Sequence, residues 1–276
     1  MNICVIIPAA GASSRYLESA HAELGAAPRS KLEEDLGSRP VLQRTVELFT
    51  KHPDVTSIIV AGPHGDAAFA EFKVRFGDKL GLLGVKLCQG GKAHRYETVA
   101  NALKLVPEAC THAAIHDAAR PCASEQLIER VFAAASAPPA GGGHKAVIPG
   151  VDVADTLKRV SAEEVAGEAD PLAAIFGDSD EKKIVGRRVE QTIDRARLVA
   201  VQTPQIFEIG LLRRAYAQQD LSSTDDAQLV ERLGEAVLVV PGEAGNLKIT
   251  RYADIKLARA ILGVRGASER ESHKRF

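Results

Sequence analysis

Short apolar runs and stretches with helical periodicity alternate along the first 150 positions. Ile3 to Pro8 is an unbroken apolar run, the pattern of a strand covered on both faces. From Pro40 to His52, Val41, Leu42, Thr45, Val46, Leu48 and Phe49 fall at helical spacing, and Pro40 suits a first turn. Ser57 to Ala61 reads as a second buried strand. Asp66 to Phe76 reads as a helix with Phe69, Phe72 and Phe76 on one side, and Val85 to Cys88 as a third strand closed by Gly90-Gly91. His94 to Leu105 is helical and Ala113 to His116 is a fourth strand. Ser124 caps a helix to about Ala135, and Ala146 to Pro149 is a fifth strand. This alternation predicts an α/β fold with a doubly wound, mostly parallel, Rossmann-like sheet and right-handed crossovers. Its ligand crevice should lie beyond the carboxyl ends of the strands.

After Gly150 the rhythm changes. Val153 to Val160 and Ile184 to Ile193 are β-leaning runs flanking Ser161 to Lys183, which is rich in acidic and small residues. They predict a protruding β-arm over about 151–195 with a polar insertion at its tip, too thin to have its own core and so expected to pack on another subunit. A helix near Glu208 to Gln218, another near Asp225 to Leu233, strands Val237 to Val240 and Leu247 to Thr250, and a helix Ala253 to Leu262 complete one domain, 1–262. The tail, 263–276, is polar and expected to be disordered.

Composition narrows the functions. The 276 residues hold 35 Lys plus Arg against 36 Asp plus Glu, so no global field favours nucleic acid or an acidic membrane, and any anion site must be local. Cys4, Cys88, Cys110 and Cys122 lie far apart with no CxxC pair, which disfavours a disulfide framework or a zinc site. The N-terminus lacks a signal peptide's basic flank, and no run approaches the ~20 apolar residues of a membrane span. A cytoplasmic soluble protein is expected.

The unusual residues cluster at strand ends. Pro8-Ala9-Ala10-Gly11-Ala12-Ser13-Ser14-Arg15 follows the first strand. Small residues there admit a ligand to the backbone, whose N–H groups can cradle phosphate, and Arg15 adds a planar cation. The loop is neither the three-glycine dinucleotide fingerprint nor a P-loop, which disfavours an NAD enzyme. A tight turn with a solvated arginine explains it equally well. Lys31 can neutralise triphosphate as a mobile cation, although alone it reads as a surface lysine. His116-Asp117-Ala118-Ala119-Arg120-Pro121 ends the fourth strand, where Asp117 could meet ribose or metal, or simply cap the turn. Gly90-Gly91 precedes a helix holding Arg95 and Thr98, and could admit a pyrimidine base or be a plain turn. In Asn246-Leu247-Lys248-Ile249-Thr250 the lysine points away from its apolar neighbours, to solvent or to a crevice.

Together these segments, with Asp155-Thr156-Leu157-Lys158-Arg159, Gln191-Thr192-Ile193-Asp194-Arg195, Thr203-Pro204-Gln205 and Thr224-Asp225, resemble the 2-C-methyl-D-erythritol 4-phosphate cytidylyltransferase family from Ile3 to about Leu262. The resemblance implies a nucleotidyltransferase using CTP, Mg²⁺ held mainly through the CTP phosphates, and a homodimer whose β-arm enters the neighbour's site. It implies that Arg15 and Lys31 stabilise the transition state, and that Arg159 and Lys248 position the acceptor phosphate. Thr192 and Thr224 would add acceptor contacts. Ala9, Ala10, Gly11, Gly90, Thr98 and Ala118 would line the nucleotide pocket, with Asp117 between nucleotide and acceptor. No protein metal ligand is implied.

Departures from the family pattern concentrate between Ser13 and Asp35. Ser13 replaces a frequent glycine and Tyr16 a usual methionine. Leu32 stands for a common glutamine, the acidic run Glu33-Glu34-Asp35 follows, and the segment from Glu18 to Ser30 is long. Two other readings stay open: a ribitol-5-phosphate cytidylyltransferase of the same fold, and a non-catalytic nucleotide-binding homologue.

Overall fold

A computed structural model describes residues 1–24, 29–136, 144–166 and 185–265. The chain divides into two compact units, Met1–Val151 with Val201 onward, and Asp152–Ala200. In the first unit β1 (Ile3–Pro8) leads to α1 (Ser14–Leu24), α2 (Val41–Glu47), β2 (Val55–Gly62), α3 (Asp66–Gly81), β3 (Lys86–Gln89), α4 (Arg95–Leu103), β4 (His112–Ile115), α5 (Glu125–Ser136) and β5 (Ala146–Asp152). The second unit carries β6 (Leu157–Val160), β7 (Val165–Ala166), β8 (Val185–Gly186) and β9 (Val189–Ile193), and β10 (Val199–Val201) spans the return to the first unit. The first unit then resumes with β11 (Gln205–Glu208), α6 (Ile209–Tyr216), α7 (Ala227–Glu231), β12 (Leu238–Pro241) and α8 (Ala253–Leu262).

The main sheet runs β5-β11-β4-β1-β2-β3, with β12 also on β5. β1 through β4 are mutually parallel, and β12 is parallel to β5. β11 is antiparallel to both β4 and β5, so those two share a direction. The carboxyl ends of β1 to β5 therefore meet on one edge, where an open α/β sheet holds its ligand. The alternation of β1 explains the two-sided cover. Ile3, Val5 and Ile7 pack with α2, α3, α5 and α8, and Cys4 and Ile6 pack with α4, α6 and α7, all five side chains fully buried.

Four features differ from the sequence expectation. Residues 14–24, where the pattern predicts a loop, form α1, whose weak apolar pattern buries Tyr16 and Ala20. Residues 205–208, where it predicts the approach to a helix, form the central antiparallel strand β11. Four residues are too few to show a period, and their fate is set by the gap between β4 and β5. Residues 247–250 form no strand. This segment crosses the sheet's carboxyl edge instead, where the Ile249 N–H donates to the Ala119 carbonyl at 2.8 Å. Among the described residues the arm strands, β6 paired with β9 and β7 with β8, are shorter than the β-leaning runs. Most of the insertion, 167–183, and most of the tail, 266–276, lie outside the described residues.

The carboxyl edge is stiffened by a buried hydrogen-bond chain. The Asp117 N–H donates to Thr203 Oγ1 at 3.0 Å. The Thr203 hydroxyl donates to His116 Nδ1 at 3.2 Å, and His116 Nε2–H donates to the Arg120 carbonyl at 3.0 Å. A carbonyl only accepts, so the proton is assigned to Nε2 and the ring is neutral. Burial pushes the His116 pKa down to about 4, only partly opposed by the Arg120 carbonyl and Asp117. The unfolded chain then binds a proton that the folded one refuses, so stability falls as pH drops from 6.5 towards about 4. The loss between pH 7 and pH 5 should be about 2 kcal/mol, and His116→Asn should remove most of this pH dependence. Urea denaturation at the two pH values checks this, and an equal pH 5 loss in the variant would contradict it.

Candidate active site

Two clefts open on this edge. The first, of about 310 Å³, lies over the β1–α1 loop and is lined by Ala9, Ala10, Gly11, Lys31, Thr98, Asp117, Ala118 and Lys248. The loop turns through Ser13, whose φ of 60° is a left-handed conformation that favours glycine. That explains why a glycine is frequent at this point of the family pattern. No atom lies within 4 Å of where a Gly11 Cβ would stand, so the cradle is open to a ligand. The turn delivers the chain into α1, whose first turn carries Arg15 and no acidic residue, an arrangement suited to anions.

Gly90 does not face this cleft. A Cβ there would fall 2.6 Å from the Gly62 carbonyl oxygen and 2.7 Å from Ala10 Cβ, so it is a close-packing position behind the loop. Gly91 lines the cleft instead, and its N–H donates to Thr98 Oγ1 at 3.0 Å. Thr98 thus both lines the pocket and fixes the Gly-Gly turn. Arg15 is exposed and does not line the cleft, but its charge reaches Lys31.

Lys31 opens a short 3₁₀ turn, Lys31–Glu33, anchored by buried Leu32. Its ammonium donates to the Ile249 carbonyl at 3.1 Å. Burial lowers its pKa first, and the nearby Lys248 and Arg15 charges push the same way against Asp117. Among the described residues neither Arg15 nor Lys31 forms an ion pair. These cations are thus poised for an anionic partner.

Asp117 is the centre of the edge. Lys248 Nζ sits 2.9 Å and Arg120 Nε 3.1 Å from Oδ2, and Arg95 Nε lies 3.7 Å from Oδ1. Burial would raise the carboxyl pKa, but these three cations hold it far below the usual range, so it stays ionised. Each cation is itself tethered. Arg120 Nη1 donates to the Asn246 carbonyl at 2.7 Å. Arg95 Nη1 pairs with buried Asp226 at 2.6 Å, and the Tyr216 hydroxyl donates to the other Asp226 oxygen at 2.5 Å. Lys248 is presented by 246–250, where Ile249 is fully buried and Lys248 faces the crevice. The alternation read in the sequence holds for the side-chain directions although the segment is no strand.

The second cleft, of about 440 Å³, shares Arg95, Asp117 and Lys248 with the first and continues to Thr224, Asp225 and Gln228. The cationic cluster is thus the wall between two cavities. Such a wall can hold two phosphate groups face to face and offset their mutual repulsion. Sequence reasoning assigns no role to Arg95 or Asp226, and reads Arg120 beside Pro121 only as a structural clamp on its loop. The signals are present, in an arginine following Gly-Gly and an acidic pair after Thr224, but each is ordinary alone. Arg159 and Thr192 lie on the hairpin unit. Arg159 is opposite Gln191, and Thr192 is opposite Lys158, whose Nζ donates to its hydroxyl at 2.6 Å.

The family model for 2-C-methyl-D-erythritol 4-phosphate cytidylyltransferase matches residues 3–173 and 172–264. The chain is 37% identical over 261 residues to the 2-C-methyl-D-erythritol 4-phosphate cytidylyltransferase of Frankia casuarinae, covering 95% of this chain and 81% of that one. It is 35% identical over 274 residues to the protein of that name from Syntrophotalea carbinolica, covering 96% and 98%. It is similar to the crystal structure of the enzyme of that name from Thermus thermophilus with a TM-score of 0.65 at 29% identity, covering 96% of this chain and 100% of that one. With a family model spanning nearly the whole chain, and full-length relatives above 30% identity, this protein belongs to the 2-C-methyl-D-erythritol 4-phosphate cytidylyltransferase family.

Proposed function

We propose that the chain transfers the cytidylyl group of CTP to 2-C-methyl-D-erythritol 4-phosphate, giving 4-diphosphocytidyl-2-C-methyl-D-erythritol and pyrophosphate. The observation that carries this reading is the wall of Arg95, Asp117 and Lys248, shared by a small-residue cleft and a second, polar one that Arg120 also lines. CTP takes the first cleft, with its phosphates along 9–13 and beneath Lys31. The acceptor takes the second, with its phosphate at the wall.

The attacking group is a phosphate oxygen, already ionised at neutral pH, so the reaction needs little base catalysis. An acceptor oxygen forms a bond to the α-phosphorus, the bond to the bridging oxygen breaks, and pyrophosphate leaves with that electron pair. The barrier is the repulsion of two anions and the charge gathering on equatorial and leaving oxygens. Lys31 and Arg15 offset that charge at the nucleotide, and Lys248 and Arg120 hold the acceptor phosphate in line.

Mg²⁺ fits this site as an ion carried by the triphosphate. Among the described residues no group of three or more potential ligands forms a cage, and Asp117 Oδ2 is occupied by two cations. When bound, Mg²⁺ supplies further charge neutralisation on the phosphates.

The chain acts as a homodimer, with the hairpin bringing Arg159 and Thr192 to the neighbour's acceptor cleft. The exposure of Val160, Val165 and Val189 on that thin unit supports a partner surface. Among the described residues no helix is long and apolar enough to cross a membrane, and the four free cysteines favour a reducing cytoplasm.

Pyrophosphate release with CTP, Mg²⁺ and each acceptor in turn tests the reaction. Methylerythritol phosphate should support release, whereas release with ribitol 5-phosphate alone would reverse the acceptor, and none with either would leave a nucleotide-binding protein. Lys31→Ala should lower kcat by roughly 10²–10³-fold while CTP affinity falls far less. Unchanged turnover would remove Lys31 from the chemistry. Mixed dimers of Arg159→Ala and Lys248→Ala subunits should regain one working site. If dimers shown to be mixed stay inactive, Arg159 does not act across the interface.

A further inference from the structure

The second cleft is lined by the cations Arg95, Arg120 and Lys248 around Asp117, and also by Thr224, Asp225 and Gln228. Asp225 is a half-buried carboxylate with both oxygens oriented. Its Oδ1 accepts the Gln228 N–H at 3.1 Å, and its Oδ2 accepts Gln205 Nε2–H at 2.8 Å. A carboxylate only accepts, so the amide nitrogen of Gln205 must face it, and Gln205 Oε1 points elsewhere. That oxygen is buried and accepts no hydrogen bond among the described residues. Gln205 is 1% exposed in the central strand β11, so one of the most rigid positions of the fold is spent on fixing this one carboxylate. An amide left with an unsatisfied buried oxygen costs stability, and such a cost persists where the group serves a function.

We infer that Asp225, held by Gln205, is a specificity-determining group that accepts hydrogen bonds from the hydroxyls of the acceptor's polyol chain. The inference rests on the proposed cytidylyl transfer and adds the acceptor's orientation: phosphate at the cationic wall, hydroxyl-bearing chain toward Asp225. Each carboxylate oxygen keeps a lone pair beyond the bond it already accepts, which suits adjacent hydroxyls. The arrangement also disfavours a reversed acceptor, because a phosphate dianion beside Asp225 would meet a like charge. Gln205 acts through Asp225 and is a positioning residue.

The test uses the full-length protein with CTP, Mg²⁺, 2-C-methyl-D-erythritol 4-phosphate and its monodeoxy analogues. Wild type should prefer the parent over at least one analogue by roughly ten- to hundredfold in kcat/KM. Asp225→Asn keeps the shape, and the Gln205 amide can turn to meet it. This variant should raise the acceptor KM roughly ten- to hundredfold with the CTP KM within about twofold, and should treat that analogue and the parent nearly alike. Gln205→Met should show the same change in smaller measure. An Asp225→Asn enzyme that keeps the wild-type preference and acceptor KM, with only a lowered melting temperature, would reduce the Gln205–Asp225 bond to a helix cap and overturn the inference. A wild type with no preference among analogues would also overturn it. A wild type inactive with the parent acceptor would instead remove the underlying reaction.

Discussion

One ionised carboxylate organises the functional edge of this protein. Asp117 is buried where a lone charge would be costly, and it is held in its ionised form by Lys248, Arg120 and Arg95. The dependence is mutual. Three cations so close would repel one another without the aspartate, and each is delivered by a different part of the chain: α4, the loop after β4, and the 246–250 crossing. Their convergence joins the carboxyl ends of the parallel strands to a segment more than a hundred residues away. Behind Asp117 the Thr203–His116–Arg120 chain fixes the backbone that presents it.

The same cluster explains how the site can be both stable and reactive. Cations outnumber carboxylates there, and Arg15 and Lys31 add charge that no ion pair among the described residues balances. The lowered pKa of Lys31 records that excess through burial and its cationic neighbours. A polyanion bound there would relieve that repulsion. Stability given up at the edge is supplied by the two apolar layers on either face of β1.

Much of this is legible in the sequence, and the rest is not, for physical reasons. The buried strand Ile3–Pro8 and the alternation after it imply the sheet and place Ala9, Gly11 and Asp117 at strand ends. Lys248 falls on the correct side because burial alternates along the crossing segment, with Ile249 buried and Lys248 exposed, although the segment is no strand. β11 escapes sequence reading because Gln205–Glu208 is too short for a pattern and is specified by the neighbours it fits between. α1 escapes it because its polar sequence is held by one buried tyrosine and by where the β1 loop releases it. The expectation that Gly90 lines the cleft fails because a Gly-Gly pair does not say which glycine faces ligand, and the close approach of Ala10 and Gly62 decides it. Arg95 has no assignment alone, since its meaning depends on Asp226, 131 positions further along the chain.

The central claim is that nucleotide and acceptor phosphates meet across the Asp117 wall, each from its own cleft. A crystal structure with a non-hydrolysable CTP analogue and the acceptor tests it most directly. The account predicts the α-phosphate over the 9–13 loop, the acceptor phosphate in the cleft of Thr224 and Asp225, and Lys248 Nζ within hydrogen-bonding distance of the acceptor phosphate. Both phosphates in one cleft, or a Lys248 that contacts only Asp117, would contradict it.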